Sequence, residues 1–246
     1  MGNIKLYDDF ILDENMLTGR DRDVVELMIE FGGVTYNDVL LNTIFYGQTY
    51  NTMKNRLQKL RRRGLIRYKQ TNLFKPRYAI VFSSSTEEFL FDVYGFKVHQ
   101  VNPNPNTIYH LMLEQQTYFW LKRAGKNVKR TIVKKWQAGG AHKHTPDLVY
   151  PLKNGELVYV EVENTTKRAD RYIDIFRRTK IDNPKTVLYV FENEKKMKTL
   201  GKKIPLWDKI RYTTVDLLRQ GVLENGKIDA VKQVDFFKKN NIKIKG

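Results

Sequence analysis

The spacing of hydrophobic positions changes along the chain, and the changes divide it. Between Thr18 and Gly33, Val24, Val25, Leu27, Met28 and Phe31 recur at near-helical spacing; Thr18 can cap the start and Gly32-Gly33 can stop it. The run "TYNDVLLNTIF" predicts a second, short helix with Val39, Leu40 and Ile44 on one side. A third is predicted in "GQTYNTMKNRLQKLRRRG", with Tyr50, Met53, Leu57 and Leu60 on one stripe and Gly64 at its end. The period then drops to two. "LIRYKQ" and "PRYAIVF" read as strands joined by "TNLFK", a loop carrying Asn72 and Lys75. A short amphipathic helix over "TEEFLFDVYGF" leads to the Pro/Asn-rich "HQVNPNPN", which breaks regular structure. A domain boundary is expected near Val101 to Asn106, dividing the chain into 1–100 and 101–246.

The second half opens with a strong helix, "NTIYHLMLEQQTYFWLKRAGK". Its apolar positions Ile108, Leu111, Met112, Phe119 and Leu121 leave His110 and Glu114 together, one turn apart, on another face. "NVKRTIVKKW" reads as a strand and the glycine-containing "QAGGAHKH" as a loop. "DLVYPL" and "ELVYVEVE" follow as strands joined by "KNG", a strong hairpin signal. Alternation puts Val158, Val160 and Val162 on a packed face and Tyr159, Glu161 and Glu163 on the other. The hairpin brings Asp147 close to Glu161. "TTKRADRYIDIFRRTK" is a helix with Tyr172, Ile175, Phe176 and Thr179 inward, exposing Lys167, Arg168, Arg171 and Arg178. "TVLYVFEN" is a buried strand, and "YTTVDLLRQG" a strand end running into a helix. This order implies an α/β core with a small mixed sheet flanked by helices, behind an α+β first domain.

Charge changes this picture most. The chain carries a formal net charge of +17 and a pI near 9.8, which selects a polyanion, nucleic acid first, as partner. The charge is uneven: from Gly47 to Thr86 there are ten Lys/Arg and no Asp or Glu. Opposite the apolar stripe of the third helix, Asn51, Lys54, Asn55, Gln58, Arg61 and Arg62 face outward. Asn, Gln and Arg are the types that make paired hydrogen bonds to adenine and guanine edges. Lys69, Lys75 and Arg77 on the hairpin, and Arg168 and Arg171 on the later helix, suit phosphates. The plainer alternative for the first domain is a protein-binding module, against which the acid-free basic block argues.

Absence of cysteine excludes disulfides and thiolate zinc sites. No basic-then-apolar leader opens the sequence and no apolar run approaches a membrane span, so a soluble, cytoplasmic protein with no membrane contact is expected. The carboxylates carry the candidate chemistry. Asp147 and Glu161, brought together, offer hard oxygen ligands suited to Mg²⁺ or Mn²⁺; the alternative is that the glutamates of "EVEN" are only solvated. His142 and His144 with Asp147 can ligate a transition metal, but no further ligand stands out and surface histidines are the simpler reading. Tyr118, Phe119 and Trp120 suit a core; a base-stacking platform is the alternative.

Three helices followed by a hairpin, over about Thr18 to Phe82, resemble the winged helix-turn-helix pattern, in which the third helix enters the major groove and the hairpin wing touches the backbone. Pro146-Asp147 followed by Glu161-Val162-Glu163, over roughly Thr107 to Asn193, resembles the PD-(D/E)xK nuclease superfamily. Residue by residue, that resemblance makes Asp147 the motif aspartate, Glu161 the metal-binding glutamate and Glu114 the additional glutamate on the first helix. Glu163 stands where the motif lysine belongs, and Lys167 is the nearest candidate for a migrated one. Together the two halves resemble the replication-relaxation family of mobile elements. This implies a protein of a plasmid, phage or integrative element acting on double-stranded DNA, with replication or relaxosome proteins as partners and a homodimer as one arrangement open to it. The catalytic expectation is a Mg²⁺- or Mn²⁺-dependent endonuclease with a variant site built from Glu114, Asp147, Glu161, Glu163 and Lys167. The alternative is a catalytically inactive DNA-binding replication accessory or transcription regulator.

Overall fold

A computed structural model of the chain describes residues 19–71, 73, 75–94, 105–131, 145–165 and 167–240. Thr18, Asn72, His142 and His144 lie outside these residues. The backbone divides into two compact units, Met1–Ile108 and Tyr109–Gly246.

In the first unit, α1 (Gly19–Glu30), α2 (Asn37–Asn42) and α3 (Tyr50–Arg62) precede strands β2 (Ile66–Gln70) and β3 (Tyr78–Phe82), and α4 (Ser84–Tyr94) closes it. The sequence pattern missed one strand. Val34–Thr35 forms β1, too short to show a period, and pairs antiparallel with β3 to give a three-stranded sheet in the order β1-β3-β2. Val24, Leu27, Met28, Phe31, Val39, Leu40, Met53, Leu57, Leu60, Ile80 and Phe82 are buried, so the helical stripes and β3, buried from Ala79 to Phe82, form this core. Fully burying one such side chain contributes about 1.5–3 kcal/mol.

The second unit is a six-stranded mixed sheet flanked by helices. α5 (Pro105–Arg123) leads into β4 (Lys129–Arg130), β5 (Leu148–Pro151) and β6 (Leu157–Glu163), an antiparallel run. α6 (Ala169–Asp182) then returns the chain so that β7 (Thr186–Phe191) lies parallel to β6. α7 (Glu194–Gly201) does the same for β8 (Ile210–Thr214). After α8 (Val215–Asn225), β9 (Val231–Lys232) adds an antiparallel edge and α9 (Gln233–Lys239) packs back. The sheet order is β4-β5-β6-β7-β8-β9. α7, β9 and α9 had no sequence expectation.

Register fixes what each face carries. Val158 and Val160 share one face with Tyr150, Thr186, Leu188 and Arg211, because paired residues point the same way. Tyr159, Glu161 and Glu163 share the other with Val187, Tyr189, Phe191 and Tyr212. For that second face the sequence offers metal-ligating glutamates or, as the alternative, merely solvated ones. The face is covered instead by an aromatic layer: Tyr172, Tyr189, Phe191, Tyr212, Phe236 and Phe237 form one buried cluster. Phe191 and Tyr212 meet edge to face at 5.3 Å. α5 also departs from expectation. Leu111 to Gln115, Thr117, Tyr118, Trp120 and Leu121 are all buried, whereas Phe119 is only partly so; the helix is covered nearly all round.

Candidate nucleic-acid interface and carboxylate centre

α3 starts where Thr49 accepts a hydrogen bond from the Thr52 N–H at 3.1 Å, an N-cap. Met53, Leu57 and Leu60 bury one face. The other presents Asn51, Lys54, Asn55, Gln58, Arg61 and Arg62, all exposed as the spacing predicts. Tyr50 corrects the expected stripe: at the first position of the helix it lies beyond the packed turn and is 50% exposed. Arg56 belongs to the same basic run but is engaged elsewhere. Its guanidinium forms a bidentate pair with Asp21, which is only 1% exposed, joining α3 to α1. Lys69, Lys75 and Arg77 on the β2–β3 hairpin are exposed. The Arg61 guanidinium sits 5.9 Å from the Tyr68 ring centroid, and Arg77 lies 5.5 Å from that of Tyr78.

In the second unit, α5 places His110 and Glu114 one turn apart, and both find partners. His110 Nε2 lies 3.3 Å from Asp147 Oδ1. Asp147 Oδ2 accepts from the Val162 N–H at 2.7 Å, tying the start of β5 to β6. Arg130 on β4 donates from Nε to Glu114 Oε1 at 2.9 Å and from Nη2 to Oε2 at 3.4 Å. On β6, Glu163 accepts from Lys167 Nζ on one oxygen and from the Tyr172 hydroxyl, at 3.1 Å, on the other. Lys167 was expected to be exposed at the head of a helix. α6 begins two residues later, and Lys167 turns inward to Glu163, with its side chain 18% exposed. Arg168 and Arg171 remain exposed, and Arg168 pairs with Asp170 at 3.1 Å.

The electrostatics link these groups. Burial pulls the His110 imidazole down, but the hydrogen bond and charge of Asp147, with the charge of Glu114, outweigh it and hold the ring above its ordinary 6.5. Burial pushes Asp147 up, and His110, the Val162 N–H and Lys167 reverse this, leaving it below 3.8. Glu114 and Glu163 are both raised. Burial dominates in each, Asp147 adds to it, and the respective cations Arg130 and Lys167 only partly oppose it. Glu161 is 3% exposed on the aromatic face. Burial and then the charges of Glu161 and Glu163 hold Tyr189 well above its usual value. Glu114, Asp147, Glu163 and Lys167 are electrically coupled, and Glu161, on the same face of β6 as Glu163, raises Tyr159 and Tyr189. His110, Arg130 and Tyr172 complete the centre. The one-turn spacing from Glu114 gave a signal for His110; Arg130 and Tyr172 are long-range partners with no local signature.

As arranged, the oxygens of Asp147, Glu114 and Glu163 face hydrogen-bond donors and cations rather than an open ion position. Among the described residues no three His, Asp or Glu side chains are grouped so as to hold a metal ion.

The His110–Asp147 pair has a pH consequence. His110, raised, contributes stability below pH 6.5 that is lost as pH rises through its folded value; Asp147, lowered, contributes above pH 3.8 and loses this as pH falls further. The stability difference between wild type and Asp147→Asn is expected to be widest between those limits. The His110 ring resonances should titrate above 6.5 in the wild type and lower in the variant. An unchanged midpoint would remove the pair from the account.

Comparison of the chain with protein-family models, with curated proteins and with solved structures returns no match.

Proposed function

We propose that the chain is a double-stranded-DNA-binding protein of a plasmid, phage or integrative element, with α1–α3 and the β2–β3 hairpin used as a winged helix. The observation that carries this reading is the outer face of α3: six polar or basic side chains, all exposed, in a forty-residue stretch without an acidic residue. A helix of about 10–12 Å fits the major groove, where Asn, Gln and Arg distinguish bases. The hairpin cations Lys69, Lys75 and Arg77 supply contacts to phosphate that carry no sequence information. Among the described residues no helix is long and apolar enough to cross a membrane. Selection of duplexes from a random pool, followed by binding measurements over a series of salt concentrations, tests the reading directly. Sequence-independent retention of DNA by a surface outside α3 would overturn it.

The second unit is a DNA-holding body rather than a working nuclease, because the carboxylate oxygens of Glu114, Asp147 and Glu163 are taken up by Arg130, His110, a backbone N–H, Lys167 and Tyr172. Incubated with supercoiled DNA, the protein is expected to nick no faster with Mg²⁺ or Mn²⁺ than with chelator. Divalent-dependent nicking that disappears in Asp147→Ala/Glu161→Ala would reinstate the endonuclease.

A further inference from the structure

A cavity of about 260 Å³ opens on the valine-bearing face of the six-stranded sheet, on the side opposite Glu161 and Glu163. Lys126, Arg211 and Lys227 line it with Thr186, Tyr150 and Leu188, and no carboxylate does. We propose that it binds a phosphate monoester carried on a sugar, as in a nucleoside 5′-monophosphate or the 5′-phosphorylated end of a strand.

The three cations are held there by the fold. Lys126 follows Gly125, whose φ of 73° closes α5, and its N–H bonds to the Leu121 carbonyl at 3.2 Å. Lys227 follows Gly226, φ 63°, at the end of α8, and its N–H bonds to the Gly221 carbonyl at 3.2 Å. Gly221 is fixed by this approach: a Cβ there would fall 2.8 Å from the Cβ of Asp229 and 2.9 Å from the Lys227 carbonyl oxygen. Arg211 donates from Nη1 to the carbonyls of Asp208 at 2.5 Å and Ile210 at 3.0 Å, which immobilises its guanidinium. None of the three cations has an ion-pair partner among the described residues.

Charge and size select the ligand. Two helix C-termini bring about half a negative charge each, and three cations exceed this by roughly two, which matches the charge of a phosphate monoester near pH 7. A guanidinium fork and two ammonium groups suit its oxygens, with the hydroxyls of Thr186 and Tyr150 beside them. Ile228 and Ala230, both partly exposed, give apolar surface for a sugar or base above the buried Leu188 and Tyr150. The volume lies just below the roughly 300–1,000 Å³ of sites for drug-sized ligands, so it takes one nucleotide rather than two.

Calorimetry with full-length protein tests this, using a deoxynucleoside 5′-monophosphate, the matching nucleoside, and oligonucleotides ending in 5′-phosphate or 5′-hydroxyl. The protein for the oligonucleotide arm carries Arg61→Ala/Arg62→Ala, so that failure of the α3 reading cannot be mistaken for failure of this one. The monophosphate is expected to bind at least about tenfold more tightly than the nucleoside, and Lys126→Ala/Lys227→Ala to remove that advantage, each lost charge-assisted contact being worth about a tenfold change. Arg211→Lys, which keeps the charge and loses the fork, should weaken binding without changing the fold. Preference for the 5′-phosphorylated oligonucleotide identifies a strand end as the source; equal binding of both, with the mononucleotide bound, identifies a free nucleotide. A monophosphate no tighter than the nucleoside, or lysine variants that bind it as the wild type does, overturns the proposal.

Discussion

Replacing Arg61 and Arg62 with alanine is expected to weaken binding of a selected duplex by about 100-fold or more while leaving the denaturation midpoint unchanged. Both side chains are exposed on the outer face of α3, so their loss opens no cavity and strands no buried partner. Exposed substitutions of this kind shift stability by no more than about 0.5 kcal/mol. Against DNA the sum is different. A side chain reading a base edge in paired fashion contributes about 1–3 kcal/mol of discrimination, and one neutralising a phosphate contributes to the salt dependence, about 0.9 in slope per contact. The two classes separate in one experiment. Asn55→Ala and Gln58→Ala should relax sequence preference at single positions with the salt slope preserved. Lys69→Ala and Lys75→Ala should weaken all duplexes alike and flatten the slope. Arg56 is the internal control. It stands in the same basic run, but its pairing with buried Asp21 makes Arg56→Ala lower stability rather than affinity at constant fold. If Arg61→Ala/Arg62→Ala bound the selected duplex as the wild type does, the groove-reading role of α3 would be wrong.

What the sequence made legible follows the range of the interactions that decide each element. α3 could be read almost residue by residue, because a stripe at helical spacing and a closing glycine are local, and because exposure of Asn51 to Arg62 follows from the stripe opposite; its Thr49 cap is equally local but was not read. β1 could not, since two residues have no period and acquire their conformation from β3. The β5–β6 hairpin was legible from Asn154-Gly155 and the alternation of Val158, Val160 and Val162. Its alternation also left open a solvated glutamate face, and that alternative fails for a tertiary reason. β7 and β8 bring Tyr189, Phe191 and Tyr212 into register beside the glutamates, and α9 adds Phe236 and Phe237 above them. Period two distinguishes faces but cannot say what lies over either one. The same limit applies to Lys167, whose inward turn depends on α6 starting at Ala169 rather than earlier.

The Glu163–Lys167 pair is where removing one side chain should cost the fold most. Glu163 is 1% exposed, with Lys167 on one oxygen and the Tyr172 hydroxyl on the other, so it fastens β6 to the head of α6. Lys167→Met leaves a buried carboxylate with one neutral donor, and removing one member of such a pair costs about 3 kcal/mol. Glu163→Gln alone should be mild, because an amide still meets Tyr172 and needs no counter-charge; in combination it should recover most of the loss. A double-mutant cycle by denaturant unfolding measures this coupling. The pH dependence gives an independent check. Glu163 is already raised above 4.5, burial being the largest cause, and without Lys167 it moves further up. A raised carboxyl contributes stability below its unfolded value that disappears as pH rises through the folded one, so the Lys167→Met deficit should grow with rising pH and shrink towards pH 4.5. A deficit independent of pH would mean that Lys167 acts through packing against the Tyr172 ring, 5.6 Å away, rather than through its charge. The same fastening sets where Arg168 and Arg171 are presented, so the variant at low pH, folded and with Glu163 neutral, should hold DNA through them as the wild type does.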